Sequence, residues 1–262
     1  MKQLVNLLIV VAGLWSFTSI AADAEYPHRP NYPDVQIYTV EKLAQDYNNV
    51  VIVDVRSRYE FDTLHIKGAV NIALNHDEFS AEIKKLSTEK NKPVVFYCNG
   101  KTCAKSYKGA RQAARAGAKN LYAFDAGVFD WAKAKPELTV LLGKSPISPG
   151  DLISKQDLEV HMLSPKEFEK RVQQGGKISV IDVRDRIQRD ILLFPLNETR
   201  ITLSQEDELT AYIKKEAAAG KTLFIYDKVG KQVRWLQYRL NAMGIRNYYF
   251  LKGGSEAMYQ AL

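Results

Sequence analysis

A short, largely apolar run closed by Asp-x-Arg occurs twice in this chain, 128 residues apart. Val50-Val51-Ile52-Val53 leads into Asp54-Val55-Arg56, and Ile178-Ser179-Val180-Ile181 leads into Asp182-Val183-Arg184. A second run follows each. Val94-Val95-Phe96-Tyr97 ends at Cys98, and Leu223-Phe224-Ile225-Tyr226 ends at Asp227. A third run follows a Gly-x-x-Asn turn in both copies: Leu121–Phe124 after Asn120, and Tyr248–Leu251 after Asn247. Glycines Gly127 and Gly254 close the pattern. Runs without polar alternation are the mark of strands covered on both faces, which parallel sheets provide. Helical patterns separate the runs, so the repeat predicts two α/β domains with mainly parallel sheets flanked by helices. Such sheets hold ligands at the carboxyl ends of their strands, where Cys98 and Asp227 fall.

The helical stretches are predicted around residues 40–45, 78–86 and 104–116, the last stopped at Gly117. A short helix holding Trp131, read as a core residue, follows Gly127. In the second copy Ser164 caps a helix with Pro165 at its first position, and residues 232–243 form a helix stopped at Gly244. The segment 143–156 is rich in Pro, Gly and Ser and is read as a linker. The expected domains are therefore 25–142, carrying Cys98, and 157–262, carrying Asp227. Residues 1–24 read as an export signal: Lys2, an apolar stretch from Leu4 to Ala12, then Ala22-Asp23-Ala24 at the cleavage site. The apolar core is shorter than the ~20 residues of a membrane span. The expected location is periplasmic or secreted, with no stable membrane insertion after signal cleavage.

The formal charge is +7 over 262 residues, with Lys and Arg spread along the chain rather than clustered among aromatics. That excludes an obvious nucleic-acid footprint. Lys108, Arg111 and Arg115 do share one helix face by spacing, a stripe that is either solvated or able to dock an acidic partner. Only two cysteines exist, Cys98 and Cys103, and both lie in one loop, so they are not a distributed disulfide scaffold. Four scattered His and no C-x-x-C pair argue against a zinc site. No metal or cofactor is expected.

Asp54-Val55-Arg56, then Tyr59-Glu60-Phe61, His65-Ile66-Lys67-Gly68-Ala69-Val70-Asn71-Ile72, and Tyr97-Cys98 opening a loop into a helix together resemble the rhodanese (sulfurtransferase) family in a tandem, two-domain form. The resemblance implies that Cys98 is the nucleophile. Its thiolate takes a sulfane sulfur from a donor such as thiosulfate, and the persulfide passes it to a thiol or cyanide-type acceptor. The loop Asn99, Gly100, Lys101, Thr102, Ala104, Lys105 and Ser106 then surrounds the substrate, with Lys101 and Lys105 as the electrostatic candidates. Asp54 and Arg56 are supporting residues that fix the loop after the strand, and His65 is a hydrogen-bonded framework residue. The expected partners are a small sulfur donor and a thiol acceptor, together with a periplasmic redox or sulfur-carrier protein.

The chain departs from the common family pattern in two places. Many members place Arg and Ser five and six positions after the Cys, whereas Lys105 and Ser106 follow Cys98 by seven and eight. A wider loop is associated in this fold with phosphatases and arsenate reductases, although Lys gives a point charge rather than a bidentate fork. The other departure is Cys103. It reads as a resolving thiol, as half of a resting disulfide, or as a buried thiol at the helix start. Two further functions therefore stay open: a dithiol redox or oxyanion-reducing enzyme using Cys98 and Cys103, and a non-catalytic binding module. Asp227 marks a degenerate second site, with Lys228, Lys231 and Arg234 near it.

Overall fold

The computed structural model describes residues 25–189, 191–195 and 197–261. The expected export signal lies outside the described residues. Among them, no helix is long and apolar enough to cross a membrane.

In chain order the first copy gives β1 (Gln36–Ile37), α1 (Val40–Gln45), β2 (Val51–Asp54), α2 (Arg58–Thr63), β3 (Leu64–Ile66), β4 (Val70–Asn71), α3 (Phe79–Lys90), β5 (Val94–Tyr97), α4 (Lys105–Arg115), β6 (Leu121–Phe124) and α5 (Gly127–Ala134). After β7 (Thr139–Leu141), the second copy gives α6 (Lys155–Glu159), β8 (Met162–Leu163), α7 (Pro165–Gln174), β9 (Ile178–Asp182), β10 (Glu198–Arg200), α8 (Glu206–Ala218), β11 (Thr222–Tyr226), α9 (Val233–Ala242), β12 (Tyr248–Leu251) and α10 (Gly254–Ala261). The helix starts follow local chemistry. Thr39 Oγ1 accepts the Lys42 amide, Ser57 and Glu60 close a capping box, and Ser164 Oγ accepts the Glu167 amide with Pro165 at the first helical position.

Contacts gather the chain into two compact units. The first holds residues 25–56 and 68–134, the second residues 57–67 and 135–261. This differs from the expected division at 143–156, because β3 pairs antiparallel with β7, with Leu64 opposite Leu141. The 143–156 stretch is also anchored: Ile147 and Ile153 are buried, and the Ile153 amide donates to the Tyr238 hydroxyl at 3.0 Å.

The first unit is built on a five-stranded sheet in the order β1-β6-β5-β2-β4, with every pairing parallel. All four residues of β5 are buried, as expected of a central strand covered on both faces. Phe79 and Ile83 of α3, Ala110 and Ala113 of α4, and Val53, Val94 and Phe96 of the sheet form one core cluster that includes Cys98. The second unit has its own five-stranded parallel sheet, β10-β9-β11-β12-β8. Matched by position in the repeat, its strands stand in the same order as those of the first sheet. Phe168, Val180, Phe224, Tyr226 and Met258 centre its core.

Candidate active site

Register brings the sequence motifs together. Asp54 ends β2 opposite both Tyr97 of β5 and Asn71 of β4. The Asp-x-Arg turn therefore stands directly beside the residue where β5 releases Cys98. Asp54 and Arg56 are fully buried, and a buried pair of charges must satisfy itself. Arg56 Nη2 meets Asp54 Oδ2 at 2.6 Å, Nε meets Oδ1 at 2.9 Å, and the Arg56 amide also reaches Oδ1 at 2.9 Å. The remaining guanidinium nitrogen, Nη1, donates to Asn99 Oδ1 at 3.1 Å. The fork thus ties the Asp-x-Arg turn to the first residue after Cys98. Asn71 finishes the arrangement, its Nδ2 donating to the carbonyls of Asp54 and Arg56 at 3.1 and 3.0 Å. In the second unit, Arg184 binds Asp182 in the same way and spends its other donors on Tyr259 and the carbonyls of Gln188 and Ile191. His65 Nδ1 donates to the Phe61 carbonyl at 2.7 Å, as a framework residue does.

Cys98 is fully buried and is bridged to Cys103 by a disulfide, with Cα atoms 6.4 Å apart. No free cysteine remains. Of the three readings of Cys103, the structure has the bridged one. The loop curls enough to allow it because the Cys103 amide donates to the Gly100 carbonyl at 2.8 Å. Cys103 is only partly buried, so it is the less buried residue of the pair. Ala104 then caps α4, whose start brings Lys105 out to solvent and turns Ser106 into the interior. Ser106 Oγ has no hydrogen-bond partner among the described residues.

The loop is held from below by α5. The Val128 amide donates to the Cys98 carbonyl at 3.0 Å. Gly127 has φ +69°, and a Cβ there would lie 2.4 Å from the Gly100 nitrogen, so only glycine fits. Gly254 repeats this against the second loop: φ +62°, with a Cβ 2.5 Å from the Val229 nitrogen.

Lys101 and Lys105, both expected to act on the site electrostatically, fare differently. Lys101 Nζ is paired with Glu25 and, at 3.2 Å, with Asp130, and these acids hold its ammonium well above the ordinary lysine range. Lys105 is exposed, and its side chain makes no hydrogen bond or ion pair among the described residues. Thr102 is exposed too, and its carbonyl accepts from His28 Nε2 at 3.1 Å. The buried Asp125, absent from the sequence reading, accepts from Arg29 Nε at 2.7 Å and from the Tyr107 hydroxyl at 2.5 Å. Burial and that carboxylate together push the Tyr107 phenol up. These acids lie far from their partners in sequence, so no local spacing signals them.

The second loop shows what this backbone does with an anion. Asp227 is 3% exposed. Its Oδ1 accepts from the Gly230 amide, and its Oδ2 accepts from the amides of Gln232 and Val233 at 2.5 and 3.2 Å. The donors are backbone N–H groups, not the cations expected around it. Lys228 instead meets Glu256 at 3.5 Å, and Arg234 donates to the Ile153 carbonyl. The loop's amides already fill the lone pairs of the carboxylate, which leaves the cations to other partners.

The family model of the rhodanese-like domain matches residues 38–134. A tRNA uridine(34) hydroxylase from Cytophaga hutchinsonii is 42% identical over 60 residues, 22% of this chain and 19% of that protein. One from Erwinia tasmaniensis is 28% identical over 95 residues, 35% of this chain and 26% of that protein. The matches thus span about a fifth to a quarter of the length of these curated relatives. Among solved structures, a thiosulfate sulfurtransferase from Pseudomonas aeruginosa aligns with 87% of this chain and 42% of its own, at 15% identity and a TM-score of 0.40. The segment that carries Cys98, its loop and the Asp54–Arg56 pair, residues 38–134, is a rhodanese-like domain.

Proposed function

We propose that this chain is a sulfurtransferase that carries sulfane sulfur on Cys98, and that the Cys98–Cys103 bridge is its resting state. The observation that carries the reading is Cys98 itself: it ends the central strand of a rhodanese-like domain, ahead of a loop and the N-terminus of α4. A helix N-terminus favours an anion and lowers the pKa of a nearby thiol. A dithiol reductant opens the bridge first. Its thiolate attacks the sulfur of Cys103, the less buried residue of the pair, Cys98 leaves as thiolate, and the second reductant thiol releases Cys103 as the reductant closes its own disulfide. The Cys98 thiolate then attacks the outer sulfur of thiosulfate, forming a persulfide as sulfite departs. An acceptor thiolate or cyanide takes the terminal sulfur and returns the Cys98 thiolate.

Export would suit this chemistry, because a resting disulfide persists in an oxidising compartment such as the periplasm. The second unit is proposed as a rhodanese-like domain in which Asp227 fills the anion position with the chain's own carboxylate. Its matching strand order and its Gly254 contact support that reading.

The bridge itself favours one alternative, a dithiol redox enzyme that cycles Cys98 and Cys103. Thiosulfate-to-cyanide transfer by reduced variants separates the two. Cys98→Ser should fall to the uncatalysed background, while Cys103→Ser should keep at least about half the wild-type rate, since the sulfur-carrying step needs one thiol. Loss of turnover in both variants alike would favour the dithiol cycle.

A further inference from the structure

We propose that the groove along α4 is a docking site for an acidic segment of the protein that exchanges sulfur or electrons at the Cys98–Cys103 loop. The inference rests on that loop being the reacting centre, and it adds the partner's chemistry. Tyr32, Leu74, Lys108, Arg111, Gln112 and Arg115 line a cavity of about 420 Å³. That volume suits a chain segment or organic ligand better than a single sulfur oxyanion. Tyr32 and Leu74 offer apolar surface, and the three cations supply the charge.

Two features set this face apart from an ordinary solvated one. The helix carries Lys105, Lys108, Arg111 and Arg115 and no acid at all. Lys105 and Lys108 stand in its opening turns, where the macrodipole disfavours cations. A local choice that costs helix stability is expected where function requires it. The groove also already binds a carboxylate. Arg111 grips Asp34 of this chain through Nε at 3.1 Å and through Nη2, and Arg111 and Arg115 hold the Asp34 carboxyl below its usual range. The side chains of Lys108 and Arg115 make no hydrogen bond or ion pair among the described residues, and both residues are exposed. After Asp34 is counted, the groove keeps a net positive charge. Lys108 lies in the second turn of the helix that opens directly after the Cys98–Cys103 loop, so an acidic segment seated here brings its own protein to that loop. The groove's cations run from Lys108 to Arg115, about 10 Å along α4, which matches several carboxylates in series rather than one phosphate.

The test uses the full chain, reduced and loaded from thiosulfate, with two cysteine-containing peptides: one rich in Asp and Glu, the other its Asn and Gln counterpart. The acidic peptide should bind in fluorescence anisotropy and should discharge the persulfide faster than the neutral one. Lys108→Glu with Arg115→Glu should weaken acidic-peptide binding about tenfold, the scale of two reversed surface charges, and abolish the rate preference. Lys166→Glu with Lys170→Glu, on exposed positions of α7, makes the same change in net charge and should leave both within about twofold. Equal weakening by the two double variants would overturn the proposal, as would tighter binding of inorganic tripolyphosphate than of the acidic peptide. Thiosulfate loading of the wild type is read separately by mass. If no sulfur loads, the transferase reading fails, whereas loss of peptide selectivity with loading intact removes only the docking site.

Discussion

At the residue scale, the two copies differ in what they place at the end of the central strand. Cys98 is a thiol tied up by its neighbour Cys103, and Asp227 is a carboxylate satisfied by the amides of its own loop. Burial raises the Asp227 carboxyl, while the Gly230, Gln232 and Val233 amides pull it back down. A folded value above the unfolded one means that folding favours the protonated carboxyl. Its stabilising contribution is complete below the unfolded aspartate value of about 3.9 and is lost as pH rises through the folded value. Urea melts of wild type and Asp227→Asn between neutral pH and about pH 4 should therefore show wild type gaining on the variant as pH falls. A constant difference would contradict the shift. The residues that the sequence revealed are those whose partners sit close along the chain or at a register-matched strand end. Asp54 and Arg56 lie two apart and pair. Lys101 read as an electrostatic candidate for the site because its partners, Glu25 and Asp130, are brought to it only by the fold, and Asp125 was invisible for the same reason.

At the element scale, what fixes the loop is the approach of α5 rather than the loop's own sequence. Gly127→Ala should cost about 2–4 kcal/mol, from overpacking against Gly100 and Asn99 together with the left-handed backbone. It should also slow sulfur transfer by displacing the loop. Gly117→Ala is the comparison: its φ is +87° but a Cβ would meet nothing within 4 Å, so about 1–2 kcal/mol is expected, with transfer intact. Equal losses in thermal or urea melts would rule out the close contact as the determinant. The strands with three or more consecutive buried positions, β2, β5, β9 and β11, were legible because their runs lack polar alternation. The two- and three-residue strands β1, β3, β4, β7, β8 and β10 were not, since so short a segment carries no period and becomes a strand only through its neighbour. The helix α8 was passed over as well. Its buried apolar positions are few, Leu209 and Ile213, and no motif marks it.

At the scale of the whole chain, repetition in the sequence foretold mainly parallel sheets flanked by helices, and the structure has two five-stranded parallel sheets, whose shared strand order was not legible beforehand. It did not foretell that residues 57–67 belong with the second compact unit. Leu64 and Ile66 are fully buried, and β3 finds its partner in β7 more than seventy residues later, a pairing no local pattern announces. The two loops differ in what they hold: one a disulfide-bridged Cys98, the other an Asp227 carboxyl met by its own backbone amides. The central claim is that Cys98 accepts sulfur only once its bridge is open. Intact mass of the full chain incubated with thiosulfate, before and after reduction, tests it directly. The oxidised chain should gain nothing, and the reduced chain should gain one sulfur that maps to Cys98 and is absent from Cys98→Ser. A reduced chain that gains no sulfur, or a Cys98→Ser chain that still does, would contradict the account.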